Sequence, residues 1–237
     1  MKKKILQFGS RALDFFSPVS AVCLGCGDLT GLDHGPWLCD RCARRLYPGF
    51  HALRRDLLPG NGASAVYFAL YYEPPVSNLV RQLKFSGVKA IVPFLADCMM
   101  PAVEALDLSG YDGFMAVPLH RNRLRERGYN QAEELARALS ERTGLPVLHG
   151  LKRGRETHRQ SELRLEDRGV NVRGAFTCDA SVKGLRVLLI DDVYTTGATI
   201  HSCAGAAVAA GAREVHALTL AGSRHFRTTR GLVLRRI

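Results

Sequence analysis

This sequence of 237 residues contains no long apolar run. No uninterrupted apolar stretch reaches the roughly 18 to 20 residues of a membrane-spanning helix, so we predict no membrane span and a cytoplasmic protein. Internal repeats and low-complexity tracts are also absent, and a hydrophobic content of 46% argues against disorder. The length therefore fits one full domain and a smaller module.

Acidic residues are scarce relative to basic ones. The chain has 22 Asp and Glu against 33 Lys and Arg, which gives a formal net charge of +11. Such an excess favours anionic partners, and both phosphates and nucleic acid fit it. Charge alone does not choose between these two classes of partner.

The first 23 residues, MKKKILQFGSRALDFFSPVSAVC, have the basic start of a secretory signal but not its continuous apolar core. Their apolar residues fall near helical spacing: Ile5, Phe8, Ala12, Leu13 and Phe16. We expect a short amphipathic helix that docks on the protein. Membrane contact through this basic helix is the alternative.

The cysteines do not form an even set, because seven of them would leave one unpaired in a disulfide framework. Four lie in the motifs CLGC and CDRC: Cys23, Cys26, Cys39 and Cys42. Two such knuckles can present four thiolates to Zn²⁺ in a tetrahedron, which predicts a closed, structural zinc site. Residues 1–48 are therefore assigned to an N-terminal helix and zinc-ribbon module. His34 is an alternative ligand, although a solvated loop histidine is favoured there.

From about residue 65 onward, strand-like apolar runs alternate with helical patterns. The predicted strands are 66–72, 113–119, 145–151, 186–193 and 215–222. The predicted helices are 76–85, 90–106, 131–143 and 198–212. This alternation predicts an α/β domain over residues 65–237, with a mostly parallel sheet flanked by helices. Residues 49–64, rich in Arg, Gly and Pro, are predicted to be a linker.

The stretch VLLIDDVYTTGAT, residues 187–199, carries the strongest chemical signal. An apolar strand delivers two acids, Asp191 and Asp192, to the sheet edge where parallel α/β proteins bind ligands. The turn that follows is small and rich in hydroxyls: Thr195, Thr196, Gly197, Ala198 and Thr199. A helix that begins there would complete a cradle for a phosphate, while the acids could accept hydrogen bonds from sugar hydroxyls or stand near a hydrated Mg²⁺.

A second polar segment, VPLHRNRLRERGYNQ, carries four arginines at alternate positions: Arg121, Arg123, Arg125 and Arg127. Arginine binds phosphate in a bidentate manner, so we interpret the set as contacts to pyrophosphate or a nucleic-acid backbone. A solvated basic turn is the alternative, and Asn130 is predicted to cap the next helix. Lys84 and Arg159 are further candidates for anion binding. Arg159 lies in a polar stretch that fits either a lid over a substrate or a plain loop.

The 187–199 stretch closely resembles the 5-phosphoribosyl-1-pyrophosphate (PRPP) loop of type I phosphoribosyltransferases. The whole chain resembles the ComF family of phosphoribosyltransferase-like proteins, which are linked with competence and DNA uptake or with gluconate use. The resemblance rests on the cysteine motifs, on LKF at 83–85, on VPLHRNRLRERGYNQ, on the spaced pattern from Thr157 to Phe176 and on VLLIDDVYTTGAT. Many relatives carry a second set of zinc cysteines where residues 49–65 contain none, so a double zinc ribbon is excluded.

The resemblance implies two functions. In the first, the protein is a phosphoribosyltransferase in which Asp191 and Asp192 hold the ribose of PRPP, residues 195–199 hold its 5′-phosphate, and Mg²⁺ with basic residues holds the pyrophosphate. Purine-specific relatives commonly place an acid where this chain has Thr195, so hypoxanthine-type salvage is disfavoured. In the second, a non-catalytic PRPP sensor binds single-stranded DNA alongside proteins of the DNA-uptake machinery. The lack of a row of aromatics suited to base stacking weakens the second.

Overall fold

The structure is a computed structural model that describes residues 22–29, 37–46, 63–154 and 174–223, together with the backbone of residues 51–54. The predicted N-terminal amphipathic helix, His34, Arg159 and most of the predicted lid lie outside the described residues. Within the described residues, no helix is both long enough and apolar enough to cross a membrane.

A six-stranded sheet organises the described domain, with strand order β1-β2-β8-β7-β3-β4. Its strands are β1 (His51–Arg54), β2 (Ala65–Tyr71), β3 (Gly113–Ala116), β4 (Val147–Leu148), β7 (Arg186–Tyr194) and β8 (Glu214–Gly222). All neighbours in this sheet pair in parallel except β1, which runs antiparallel to β2. A second, two-stranded sheet pairs β5 (Leu151–Arg153) with β6 (Phe176–Cys178) in antiparallel fashion.

Helices cover both faces of the six-stranded sheet. They are α1 (Asp40–Ala43), α2 (Val76–Phe85), α3 (Val92–Glu104), α4 (Arg121–Arg127), α5 (Gln131–Thr143) and α6 (Ala198–Ala209). Helices α3 and α5 pack together against strands β2, β3, β7 and β8, whereas α6 packs against β7, β8 and the small second sheet. The predicted fold class, a parallel α/β sheet flanked by helices with a small N-terminal cysteine module, is confirmed.

Central strand β7 shows why the sequence folds in this way. Residues 187–190 are fully buried, and a parallel sheet covered on both faces requires such an unbroken apolar run. The run places one set of side chains against each helical layer: Leu188 and Ile190 belong to the core on the α3 and α5 side, while Val187 and Leu189 belong to the core on the α6 side.

The linker predicted for residues 49–64 is wrong over four residues, because 51–54 form the edge strand β1. An edge strand needs only one partner, and here the partner is β2, in a register that places His51 opposite Phe68. So short an element leaves no apolar periodicity in the sequence. Residues 121–127 also differ from the basic turn considered above, since they form helix α4, which ends at Gly128 with a left-handed φ of 79°.

Candidate functional site

The site lies where the strand order reverses. From β3 the sheet continues outward to β4, whereas from β7 it continues in the opposite direction to β8. Loops that leave the carboxyl ends of β3 and β7 therefore diverge and leave a crevice between them. The crevice is lined by residues 117–119 after β3 and by residues 191–200, which run from the end of β7 into helix α6.

The two acids of the site lie near the end of β7. Asp191 and Asp192 are only 9% and 2% exposed, although both line the crevice. The backbone N–H of Asp192 donates to Asp191 Oδ1 at 2.8 Å, and Lys84 Nζ lies 2.6 Å from Asp192 Oδ1. Within the described residues, no hydrogen bond reaches the buried Asp192 Oδ2. A buried carboxylate oxygen without a donor is costly, so this atom is suited to a ligand hydroxyl or a hydrated cation.

Burial and mutual repulsion shift the titration of this cluster. Burial, together with the charge of Asp192, raises the pKa of Asp191 to about 7, although Lys84 opposes the shift. Burial alone would lower the pKa of Lys84, but the adjacent Asp192 carboxylate outweighs it and raises that pKa. The ammonium of Lys84 therefore stays charged and compensates one of the two acids.

The hydroxyl-rich turn forms the start of helix α6. Gly197 is the N-cap residue, with a φ of 77° that other residues rarely adopt. A Cβ at this position would also overlap the ring of Tyr194, at 2.6 Å from Cζ. Thr196 Oγ1 lies 3.5 Å from the N–H of Ala198, and both residues line the crevice. The positive end of a helix of 12 residues thus borders the site, as a phosphate cradle requires.

The arginines predicted to bind anions do not act as one set. On helix α4, residues four apart share a face, so Arg123 and Arg127 turn toward the site while Arg121 and Arg125 are exposed. Arg123 lines the crevice. Arg127 donates from Nη1 to Gln131 Oε1, and although burial lowers its pKa, the charge of Asp192 opposes that shift.

Asn130 anchors this region to the sheet. The predicted helix cap is confirmed: Asn130 Oδ1 accepts from the N–H of Ala132 at 3.1 Å, at the start of α5. Its Nδ2 donates to the carbonyl of Val117 at 3.0 Å. One buried side chain therefore joins the loop after β3 to α5.

Among the charged and amide side chains that line the crevice, two were not among the predicted site residues. Arg153, at the end of β5, lines the crevice, and its guanidinium carbon lies 5.2 Å from the centre of the Phe176 ring. Gln131 also lines it and is 4% exposed. The polar composition around Arg153 fits a lid and a plain loop equally well, and it does not show the pairing of β5 with β6 that holds this arginine beside the crevice.

The four cysteines of the two knuckles converge. The sulfurs of Cys23, Cys26, Cys39 and Cys42 all lie within 4.8 Å of one another, and Cys26 Sγ lies 3.8 Å from Cys39 Sγ. A zinc tetrahedron with Zn–S bonds of about 2.3 Å has S···S edges of about 3.8 Å. Burial would raise the pKa of Cys23, but backbone N–H groups, first that of Cys39, lower it to about 6. The cluster fits a four-thiolate metal site.

The cysteine cluster packs against helix α2. The carbonyl of Gly25 accepts a hydrogen bond from Asn78 Nδ2 at 2.7 Å, and a Cβ on Gly25 would lie 2.8 Å from Pro75 Cβ. Cys23, Cys39 and Cys42 share one apolar core with Val76 and Leu79. The module therefore supports the start of the helix whose last turn carries Lys84 into the crevice.

Comparison with known proteins supports a common ancestry. No protein-family model matches the sequence. The chain is 34% identical over 149 residues to "DNA utilization protein YhgH" of Salmonella typhimurium, a match that covers 61% of this chain and 66% of that protein, just under two thirds of its length. It is 33% identical over 159 residues to "Competence protein F" of Haemophilus influenzae, covering 64% of this chain and 69% of that one. The chain belongs to the ComF family.

One further relative matches a larger share of this chain, and solved structures match part of it. "Competence protein ComFC" of Bacillus subtilis is 27% identical over 206 residues, which is 82% of this ComF-family chain and 80% of that protein. Among solved structures, the glutamine PRPP amidotransferase of B. subtilis, complexed with ADP and GMP, matches with a TM-score of 0.35 and 26% identity, covering 56% of this chain and 26% of that one.

Proposed function

We propose that the crevice binds PRPP and that the protein is a phosphoribosyltransferase of the ComF family whose acceptor is not yet identified. The buried Asp192 Oδ2, which has no hydrogen-bond partner within the described residues, carries this proposal, because Asp192 and Asp191 line a crevice that also includes the start of α6. A ribose 5-phosphate would fit both the paired acids and the turn at the start of α6. Its hydroxyls would donate to the carboxylates, and its phosphate would accept hydrogen bonds from the turn at residues 195–199.

The pyrophosphate of PRPP would meet the cations of the crevice. Lys84, Arg123 and Arg153 all line it. Transfer breaks the bond between ribose C1 and the pyrophosphate oxygen, forms a bond from C1 to the acceptor and releases pyrophosphate. Positive charge therefore develops on the sugar while negative charge develops on the leaving group. The paired acids would stabilise the first charge, and the three cations would stabilise the second.

The residues present also fit a magnesium ion. Mg²⁺ is usually held by one or two carboxylates together with substrate phosphates, and Asp191 and Asp192 offer such oxygens at the crevice. When bound, the ion would neutralise charge on the pyrophosphate. The four-thiolate cluster in turn would hold Zn²⁺ in a closed, structural role.

A second candidate function is non-catalytic, namely PRPP sensing coupled to single-stranded DNA binding during DNA uptake. The net charge of +11 and the exposure of Arg121 and Arg125 favour a polyanionic partner, as do the names of the DNA-utilization and competence relatives. Binding of an oligothymidylate should then weaken with salt, by a log-log slope of about −0.7 for each neutralised phosphate. Absent or salt-insensitive binding would remove this role.

Calorimetric titration with PRPP and Mg²⁺ tests the proposal. The wild type should bind, whereas Asp191→Asn/Asp192→Asn should lose binding by at least tenfold. The double variant is more basic than the wild type, so a merely electrostatic effect would instead tighten the binding of this anion. Asp97→Asn/Glu104→Gln, on α3, makes the same charge change outside the site and should still bind.

The outcomes separate the alternatives. If the wild type does not bind PRPP, the assigned ligand is wrong. If it binds PRPP but releases no pyrophosphate with any acceptor offered, the sensor role replaces the enzyme.

A further inference from the structure

Phe85 is the most exposed of the large aromatic side chains within the described residues. It ends helix α2 directly after Lys84, and 76% of its surface is in contact with solvent, compared with 5% for Phe176. Leu83, two residues earlier, is fully buried and anchors the same turn in the core. Single exposed apolar side chains are common on protein surfaces, so the exposure of Phe85 is informative only together with the groups that lie next to it.

The position of Phe85 relates it to the crevice. Arg127 lies over the Phe85 ring, with Cζ 5.5 Å from the ring centre. Arg127 also donates to Gln131, which lines the crevice, and feels the charge of Asp192. Because Phe85 is exposed and directly follows Lys84, which lines the crevice, it lies beside the crevice and not in its lining. Leu124, three residues before Arg127, is 42% exposed on the same helix.

We infer that Phe85 and Arg127 form a stacking platform for a nucleobase at the mouth of the crevice. This inference rests on the proposed function, because a base stacked there lies next to the sugar and phosphate groups that the crevice would hold. Every nucleobase offers a flat face to an aromatic ring, and a nearby guanidinium both stacks and attracts phosphate. The same chemistry accommodates a free base that accepts the ribosyl group and a base within a DNA strand.

Fluorescence of 2-aminopurine, which changes when the base stacks, distinguishes these two sources. One arm uses free 2-aminopurine with PRPP and Mg²⁺, and the other uses a thymidine dodecamer that contains one 2-aminopurine. Phe85→Leu should weaken binding of the relevant probe about fivefold or more, whereas Phe85→Trp should retain it. Loss in the free-base arm identifies an acceptor site, and loss in the oligonucleotide arm identifies a DNA site.

A control and a second readout separate this inference from the proposed function. Val208→Ala removes another exposed apolar side chain, near the end of α6 remote from the crevice, and should bind both probes as the wild type does. PRPP binding by Phe85→Leu, measured by calorimetry without a base, should equal that of the wild type. The stacking inference is overturned if the wild type stacks neither probe or if Phe85→Leu binds both with unchanged affinity, even where PRPP binds normally.

Discussion

At the scale of single residues, the candidate site is a set of charges that compensate each other incompletely. Lys84 pairs with one oxygen of Asp192. The other oxygen has no hydrogen-bond donor within the described residues, and the raised pKa of Asp191 means that its ionised form is destabilised in the folded protein. Both features lower the stability of the ligand-free protein. Ligand-binding sites commonly contain such destabilising features, because the bound ligand supplies the missing interactions. Each of these two features leads to a measurable consequence.

The first consequence is a pH-dependent stability that comes from Asp191. Its pKa in the folded protein is about 7, above the ordinary value of 3.8, so its contribution to stability is present at low pH and is lost as pH rises through 7. Asp191→Asn should therefore raise the melting temperature by several degrees at pH 8 and by much less at pH 5. Thermal unfolding of both proteins across this range checks it.

The control for that experiment is Glu104→Gln, which neutralises an exposed carboxylate at the end of α3. Its effect on the melting temperature should stay small at every pH. A difference between Asp191→Asn and wild type that does not change between pH 5 and pH 8 would show that Asp191 is not held at a raised pKa.

The second consequence is strong coupling between Lys84 and Asp192. Their side chains are 23% and 3% exposed, so removing either partner leaves a largely buried charge. Asp192→Asn should cost about 2 kcal/mol of unfolding free energy, and Lys84→Met should recover part of that cost in the double variant. Urea unfolding of the four proteins gives the coupling energy.

A second ion pair provides the comparison. Lys89 and Glu134 lie 2.9 Å apart, but the lysine is 51% exposed, so the corresponding cycle with Lys89→Met and Glu134→Gln should give less than about 1 kcal/mol. Equal coupling in the two cycles would mean that burial gives the Lys84 pair no special role.

At the scale of elements, the phosphate cradle depends on the turn between β7 and α6. The turn requires a left-handed residue at Gly197 and leaves no room for a Cβ against the buried Tyr194 ring. The positive φ and the lack of space for a Cβ both constrain the backbone that would contact the phosphate. Small changes here should therefore affect ligand binding and stability together.

Gly197→Ala tests the turn. The left-handed φ alone should cost about 1 kcal/mol, and overlap with Tyr194 should add about 1 to 3 kcal/mol. Gly184→Ala is a matched control, because Gly184 has the same φ of 77° but a Cβ there meets nothing within 4 Å. Urea unfolding should show the larger loss at Gly197, and equal losses would contradict the described packing.

Sequence patterns predicted those elements that have strong local signals. Strand β7 is predicted by its unbroken apolar run, and helices α2 and α5 are predicted by apolar residues at helical spacing. The roles of the four arginines are harder to predict from sequence, because their alternate spacing suggests four equivalent contacts. In the helix that they form, only Arg123 and Arg127 are partly buried on the side of the site, whereas Arg121 and Arg125 are exposed. Arg153 reaches the crevice through pairing with a strand about 25 residues away, and no local pattern reports such a contact.

At the scale of the whole molecule, the cysteine module and the α/β domain share one core. Three knuckle cysteines and Leu38 pack with helices α2 and α3, so the module is not an independent appendage. A segment this short cannot bury enough apolar surface to hold its own fold, and metal binding would supply the missing free energy.

Metal removal should therefore destabilise the whole protein. Treatment with a strong zinc chelator should lower the melting temperature by about 5 °C or more, and elemental analysis should find one zinc per chain before treatment. Cys98→Ala, which removes a buried cysteine outside the cluster, should keep its zinc and its response to the chelator. A metal-free preparation that melts at the same temperature as the untreated protein would exclude the structural role.

The central claim is that one crevice holds both ends of PRPP. Phosphorus NMR of PRPP with Mg²⁺, titrated with the wild-type protein, tests it most directly because the 5′-phosphate and the pyrophosphate give separate resonances. We predict that both sets of resonances shift or broaden as protein is added, since the turn at residues 195–199 and the cations Lys84, Arg123 and Arg153 act on different ends of the ligand. Resonances that stay unchanged with protein in excess would contradict the account.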